Sequence, residues 1–345
     1  MGTRAWEDRH KPTLVAEVAQ AHDGSLGTAH AFIDVVADAG FDAIKFQTHF
    51  AHAESTLDEP FRVAFSRQDP DRYSYWKRME FSPQQWRGLC DHARDRGLLF
   101  LSTPFSLEAF RLLEDLDVPA WKMGSGEFRS WELVDAMMET GKPILLSTGM
   151  SSWPEIEEMV RRIQQRGNEL VLMQCTSMYP TPLENVGLNV LPLFREHFGC
   201  MVGLSDHSGA LWPALAAMAR GVSVIEVHVA MHRRAFGPDV SASLIPDELA
   251  LLARARNAFV TMDAHPVDKD ALAGEMQAVR EMFSRSVCVC RPMSAGAVLN
   301  REDLILKKPG GGIPGCQVDR LVGRKLVRAA VPERLLSWND LEPVD

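Results

Sequence analysis

Two histidines close short apolar runs in this chain, His207 in "GLSDHSG" and His228 in "VIEVHVA". Each reads as the last residue of a buried strand, and consecutive parallel strands would set them side by side at about 4.8 Å. Imidazoles at that spacing can share a divalent cation, with water and substrate in the open positions. They can equally be two hydrogen-bonded core histidines, and spacing alone leaves both readings open. Asp206 and Glu226 are neighbouring carboxylates that could fix the rings. Two lysines pose a related question. Lys45 in "DAIKFQT" and Lys122 in "AWKMGS" sit among apolar neighbours, so alternation points them inward, where an unpaired ammonium is costly. Lysines so placed require an anion. With Thr103, Ser125, Ser147 and Ser205 they would suit a small ligand bearing a carboxylate and a phosphate.

Eight strand candidates carry these groups: residues 13–20, 42–48, 98–103, 120–125, 143–149, 169–176, 201–207 and 223–229. Several are near-continuous apolar runs, as expected of parallel strands buried on both faces. The intervening helices have legible ends. Ser82 to Gln85 and Ser152 to Glu155 read as capping boxes with proline in the first turn, and Gly40, Gly97 and Gly141 stand where helices should stop. Eight strand–helix units over roughly 250 residues predict an α/β fold of the (β/α)8 TIM-barrel kind. A doubly wound sheet is the alternative, and no G-x-G-x-x-G follows the first strand to favour it. Active sites of such barrels lie at the carboxyl ends of the strands. Polar residues gather there: Lys45 and Gln47, Ser102 and Thr103, Lys122 and Ser125, Ser147 and Thr148, Thr176 and Ser177, Asp206 and His207, then His228, with Glu17 on the first strand.

Residues 49–80 separate the second strand from its helix and carry Arg62, Arg67, Arg72 and two tyrosines, which reads as a lid over the barrel mouth. Residues 1–262 are expected to form the barrel, 263–284 a linker helix and 285–345 a small β-rich domain. Within the last, "RPMSAGAVLNREDL" from Arg291 and "RAAVPERLLSWNDL" from Arg328 form a weak repeat at an offset of 37 residues. The net charge of −9 argues against a nucleic-acid partner. No apolar run of about 18 residues is present, so no membrane span is expected. The N-terminal "MGTRAWEDRHKP" lacks the apolar middle of a signal peptide, and Trp6 stands where myristoylation favours Ser or Thr. Six scattered cysteines read as reduced, in keeping with a cytoplasmic protein.

The motifs "AEVAQAHDG", "DAIKFQT", "LSTPF", "WKMGSGE", "GKPILLSTGM", "CTSMYPTP", "GLSDHSG", "GPDVSAS" and "KKPGGGIP" follow one another along nearly the whole chain. In that order they resemble the sialic acid synthases and related nonulosonic acid synthases, which use phosphoenolpyruvate and carry a C-terminal antifreeze-like (SAF) domain. The resemblance implies a TIM barrel in a domain-swapped homodimer, with the partner's small domain covering the site. It implies that His207 and His228 bind Mn2+ or Mg2+. It also implies that Lys45, Thr103, Lys122, Ser125, Ser147, Ser177 and Ser205 hold phosphoenolpyruvate, while Glu17, Gln47, Glu127, Tyr179 and Asp239 face the acceptor sugar or the attacking water. The implied reaction adds C3 of phosphoenolpyruvate to the aldehyde of an open-chain aldose. Water is captured at C2 with Glu17 as base, and phosphate leaves by C–O cleavage.

The chain departs from the family pattern on the sugar side. The usual E-K-H-F-T reads "EVHVA" (Glu226 to Ala230), and P-G-P-D-H-K reads "FGPDVS" (Phe236 to Ser241). Ala21 replaces a frequent asparagine. Lys308 replaces the arginine of K-R-P-G, which in the family reaches into the neighbour's site. These departures imply either an N-acetylmannosamine-like acceptor or an atypical aldose such as a di-N-acetylated deoxyhexose. A carbohydrate-binding role without catalysis predicts loss of the histidines or lysines, and none is lost.

Overall fold

The computed structural model describes residues 11–343, so Trp6 lies outside the described residues. The chain divides into two compact units, one ending at Ala264 and one beginning at His265. The first contains eight parallel strands: β1 (Thr13–Ala19), β2 (Ala43–Thr48), β3 (Leu99–Pro104), β4 (Trp121–Met123), β5 (Ile144–Ser147), β6 (Leu170–Cys175), β7 (Met201–Asp206) and β8 (Val224–Val229). Their order is β3-β2-β1-β8-β7-β6-β5-β4, so the sheet wraps into a nearly closed TIM-like barrel with the ladder missing only between β3 and β4. A two-residue strand, β9 (Ser243–Leu244), adds to β8 beside His228.

The continuous apolar runs arise because each strand feeds two cores. Leu14, Ala16, Ile44, Ile144, Leu146, Ile225 and Val227 point outward into the layer between strands and helices. Val15, Ala43, Leu101, Ala120, Leu145, Val171, Met173 and Val224 point inward and form a separate plug. Fully burying one such aliphatic side chain contributes about 1.5–3 kcal/mol. Gly203 is the inward residue of β7 at this level, where a Cβ would lie 2.8 Å from the Val224 carbonyl oxygen and 3.1 Å from Met173 Cε. The plug leaves no room for a side chain there. Two residues beyond the plug the inward positions change character: Glu17, Lys45, Thr103, Lys122, Ser147, Cys175, Ser205 and Glu226. Period-2 alternation thus stacks a polar layer on an apolar one.

The helix ends follow the sequence signals. Both capping boxes form, at Ser82 with Gln85 and at Ser152 with Glu155. Gly40, Gly97 and Gly141 adopt φ of 80°, 76° and 68°, the left-handed stops that glycine permits. Strand β4 is shorter than the run 120–125 because the chain turns into a 3-10 helix at Ser125–Arg129.

The second unit opens with helices Lys269–Glu275 and Gln277–Phe283, so most of the segment read as a linker belongs to it. Antiparallel strands β10 (Ser286–Val289) and β11 (Leu304–Lys307) follow, around a core that includes Val287, Leu299, Ile313, Leu326 and Leu341. The 37-residue repeat has a structural meaning. Arg291 donates to Asp303 at 2.7 Å, and Asp303 accepts from the Asn300 amide at 3.1 Å. At the equivalent positions Arg328 pairs with Asp340, which accepts from the Ser337 amide at 2.6 Å. Each half therefore closes a short 3-10 turn with the same Arg–Asp knot. Among the described residues no helix is long and apolar enough to cross a membrane, and all six cysteines are free thiols.

Candidate active site

A cavity of about 500 Å3 opens at the carboxyl ends of the barrel strands. Its lining includes Glu17, Lys45, Gln47, Thr103, Lys122, Ser125, Glu127, Ser147, Ser177, Tyr179, Ser205, His207, His228 and Asp239. These are all of the candidate residues read from the sequence except Lys308, which lies in the second unit with its ammonium 5.1 Å from the Phe283 ring centroid. Strand parity sorts the remaining polar strand ends out of the cavity. Ser102 bonds Thr48 at 2.8 Å behind β3, and Asp206 accepts from the Ser208 hydroxyl at 2.7 Å.

Glu226 occupies the centre of the floor. Its Oε1 accepts from Ser205 Oγ at 2.9 Å, with Lys122 Nζ at 3.7 Å and Lys45 Nζ at 3.8 Å. Lys45 also pairs with Glu17 and donates to Thr103 at 3.2 Å, while Lys122 donates to Ser147 at 2.7 Å. Parallel pairing sets Glu17 level with both Lys45 on β2 and His228 on β8. Burial works to raise the Glu226 carboxyl, but Lys122, Lys45 and the Ser205 hydroxyl outweigh it and hold it well below the usual range. Burial pulls Lys45 down from the usual lysine range, against the opposing pull of Glu226. Beside this floor, the hydroxyls of Ser125 and Ser177 converge on Gly149. Ser125 Oγ accepts from the Gly149 amide at 2.9 Å, and a Cβ on Gly149 would collide with Ser177 Oγ. The glycine keeps open a cradle edged by hydroxyls.

The two imidazole rings have centroids 5.2 Å apart, edge to face. His207 Nδ1 lies 2.9 Å from the Thr176 carbonyl oxygen and must donate to it, which leaves the lone pair on Nε2. The Tyr179 hydroxyl donates to that Nε2 at 3.1 Å, with its ring stacked at 4.1 Å. His228 has no hydrogen-bond partner among the described residues and is 4% exposed. Burial first, then the facing His228, pushes His207 down to about 3; burial and Lys45 do the same to His228. Both rings are therefore neutral at physiological pH, the state in which imidazole ligates a metal. Among the described residues no cluster of three or more His, Cys, Asp or Glu side chains is arranged to hold an ion, so a cation here would rest on the two imidazoles. The Thr176 carbonyl, rather than Asp206 or Glu226, fixes the His207 ring.

Residues 49–80 form one wall of the cavity. They contain helices Ala51–Glu54 and Arg72–Met79 and a cluster of Phe61, Phe65, Tyr75 and Trp76. Arg78 ties the segment down through Asp69 at 2.8 Å and Asp23 at 2.7 Å. Arg62 pairs with Asp239, and its guanidinium lies 4.1 Å from the Tyr179 ring centroid. Glu127, raised by burial against a hydrogen bond from Ser130 at 2.7 Å, completes the wall. The lining residues absent from the sequence reading include His49 and Glu54. Their only signal is a histidine one residue past Thr48 and a glutamate five residues later.

The departures from the family pattern now separate. Val227 is 1% exposed and faces the outer core, so it touches nothing in the cavity. Ala21 packs at the edge of the same core. Phe236 is different, with its ring 5.5 Å from Phe65 in the wall formed by residues 49–80.

Fold and site together define a TIM-barrel enzyme. The NeuB family profile matches residues 32–265 and the SAF domain profile residues 284–342. The chain belongs to the NeuB family. It is 29% identical over 320 residues to N,N'-diacetyllegionaminic acid synthase of Campylobacter jejuni, covering 91% of this chain and 95% of that protein. It is 30% identical over 330 residues to human N-acetylneuraminate-9-phosphate synthase, covering 92% and 89%. Among solved structures, the N-acetylneuraminic acid synthetase of Leptospira borgpetersenii, in complex with citrate, superposes with a TM-score of 0.66. Identity is 25%, over 79% of this chain and 93% of that one.

Proposed function

We propose that this chain condenses phosphoenolpyruvate with an aldose to a nonulosonic-type 3-deoxy-2-keto acid, releasing phosphate. The observation that carries the reading is the pairing of two buried lysines and a hydroxyl cradle with two neutral imidazoles whose Nε2 and ring edges meet the cavity. Lys45, Lys122 and the hydroxyls of Thr103, Ser125, Ser147, Ser177 and Ser205 hold the phosphate and carboxylate of phosphoenolpyruvate. Gln47, Tyr179, Glu127 and Asp239 meet the aldose.

Charge balance supports a divalent ion. Glu17 and Glu226 already offset Lys45 and Lys122. Phosphoenolpyruvate brings about two negative charges on its phosphate and one on its carboxylate. The neutral floor cannot balance these, and the partner-free His228 with the Nε2 lone pair of His207, which an ion would take over from the Tyr179 hydroxyl, suits Mn2+ or Mg2+. When bound, such an ion supplies Lewis acidity toward the aldehyde oxygen. The chain's own groups do the rest. The lysines orient the enol so that its C3 attacks the aldehyde carbon, and the C–C bond forms as the carbonyl π pair moves onto the aldehyde oxygen, which takes up a proton to become a hydroxyl. Glu17, level with Lys45 and His228, takes the proton of the water that adds at C2. The C–O bond to phosphate then breaks as the C2 hydroxyl gives up its proton to the departing phosphate and becomes the keto group, with the lysines on the leaving oxygens.

Purified enzyme given phosphoenolpyruvate, Mn2+ and a panel of hexosamines releases phosphate only when an acceptable aldose is present. No release with any aldose overturns the reading. Product mass identifies the acceptor, whether an N-acetylmannosamine-like sugar or an atypical aldose such as a di-N-acetylated deoxyhexose.

A further inference from the structure

His49 follows β2 directly and is 3% exposed. Its ring lies between Trp76 of the lid, with centroids 4.0 Å apart and planes 20° apart, and Phe105, at 4.6 Å and 12°. Glu54, on the short lid helix, approaches Nδ1 at 2.6 Å. A carboxylate at that atom requires Nδ1–H as donor. Nε2 faces two amides, Gln20 Nε2 at 3.3 Å and Gln47 Oε1 at 3.2 Å. In the neutral ring Nε2 carries the lone pair and accepts from Gln20, whose second N–H donates to Gln47 Oε1. One chain therefore runs from Glu54 through His49 and Gln20 to Gln47. The oxygen of Gln47 is taken, and its NH2 is the group left for a ligand. All four residues line the cavity.

We propose that Glu54 and His49 are positioning residues for the acceptor: through Gln20 they lock the Gln47 amide so that its NH2 donates to an oxygen of the aldose. The inference rests on the condensation reading, since it assigns Gln47 to that sugar. The chain also ties the acceptor contact to the lid, because Glu54 and Trp76 both come from it. When the lid segment is seated, the amide is held; when it lifts, the imidazole loses its carboxylate and one stacking face.

The test is His49→Phe, which keeps an aromatic ring between Trp76 and Phe105 and deletes both nitrogens. The KM for the aldose rises by about 3- to 10-fold, the effect of one neutral hydrogen bond. The KM for phosphoenolpyruvate holds, and the melting temperature falls by only a few degrees as Glu54 loses its donor. Gln47→Ala raises the same KM, and His49→Phe added to it changes nothing further, because His49 acts through Gln47. Equal effects on both substrates, or single effects that multiply in the double variant, overturn the proposal. A second readout needs no turnover. The 15N spectrum of the His49 imidazole shows Nδ1 protonated, and a ring protonated at Nε2 alone contradicts the chain. If no aldose is consumed, the condensation reading falls while this spectrum still decides the hydrogen-bond chain.

Discussion

Glu226→Gln separates the structural and binding roles of the buried floor. The amide keeps the side chain's shape and an oxygen for the Ser205 hydroxyl, but removes a charge 3.7 and 3.8 Å from two ammonium groups. At an effective dielectric constant of about 20, each attraction is worth about 4 kcal/mol. Part is offset because the amide is less costly to bury than the carboxylate. Lys45 retains Glu17, whereas Lys122 retains only the Ser147 hydroxyl at 2.7 Å and the Met123 carbonyl at 3.4 Å. The net loss is about 3 kcal/mol, which for a unit of this size lowers the melting temperature by about 6–12 °C. The same change leaves the floor with one excess positive charge. Phosphoenolpyruvate therefore binds more tightly and raises the melting temperature of the variant by more than that of the wild type. Circular-dichroism melts with and without phosphoenolpyruvate read both effects. A melting temperature within about 1 °C of wild type, or a smaller ligand-induced rise, would refute the reasoning.

Lys122→Met deletes one of the two cations offered to the anion and raises the KM for phosphoenolpyruvate about 100-fold, leaving the aldose KM unchanged in steady-state assays. Arg78→Leu frees the lid from Asp69 and Asp23, so limited proteolysis within residues 55–70 accelerates. Arg78 holds the Asp69 carboxyl below its usual value, so the stabilisation exists above about pH 4 and is lost as the pH falls through the depressed value. The proteolysis difference between variant and wild type accordingly closes in acid. Val227→Lys places an ammonium in the outer core, which lowers the melting temperature without altering acceptor preference among products analysed by mass.

Much of the barrel was legible because each strand needs apolar residues on both faces, and the helix stops and capping boxes announce the ends of the intervening helices. The polar layer was legible for the same reason, since a lysine in such a run has an inward parity that can be counted. Parity also settles Val227: with Glu226 and His228 inward, it must face outward, and comparison with the family motif alone gave it a meaning it lacks. The His49 chain could not be read this way. Its carboxylate and one of its stacking faces come from later in residues 49–80, and its amide partner Gln20 from the end of β1, brought together only when that segment folds back. The role of Glu226 was likewise hidden, because spacing places it near His228 but does not say that both lysines converge on it.

The most direct test is to supply phosphoenolpyruvate labelled with 18O at the C2 oxygen, together with Mn2+ and the aldose panel, and to weigh both products. The proposed reaction puts the label in phosphate and yields an acid heavier than the aldose by a three-carbon keto-acid unit. Label retained in pyruvate, or phosphate released with no condensed acid, would contradict it.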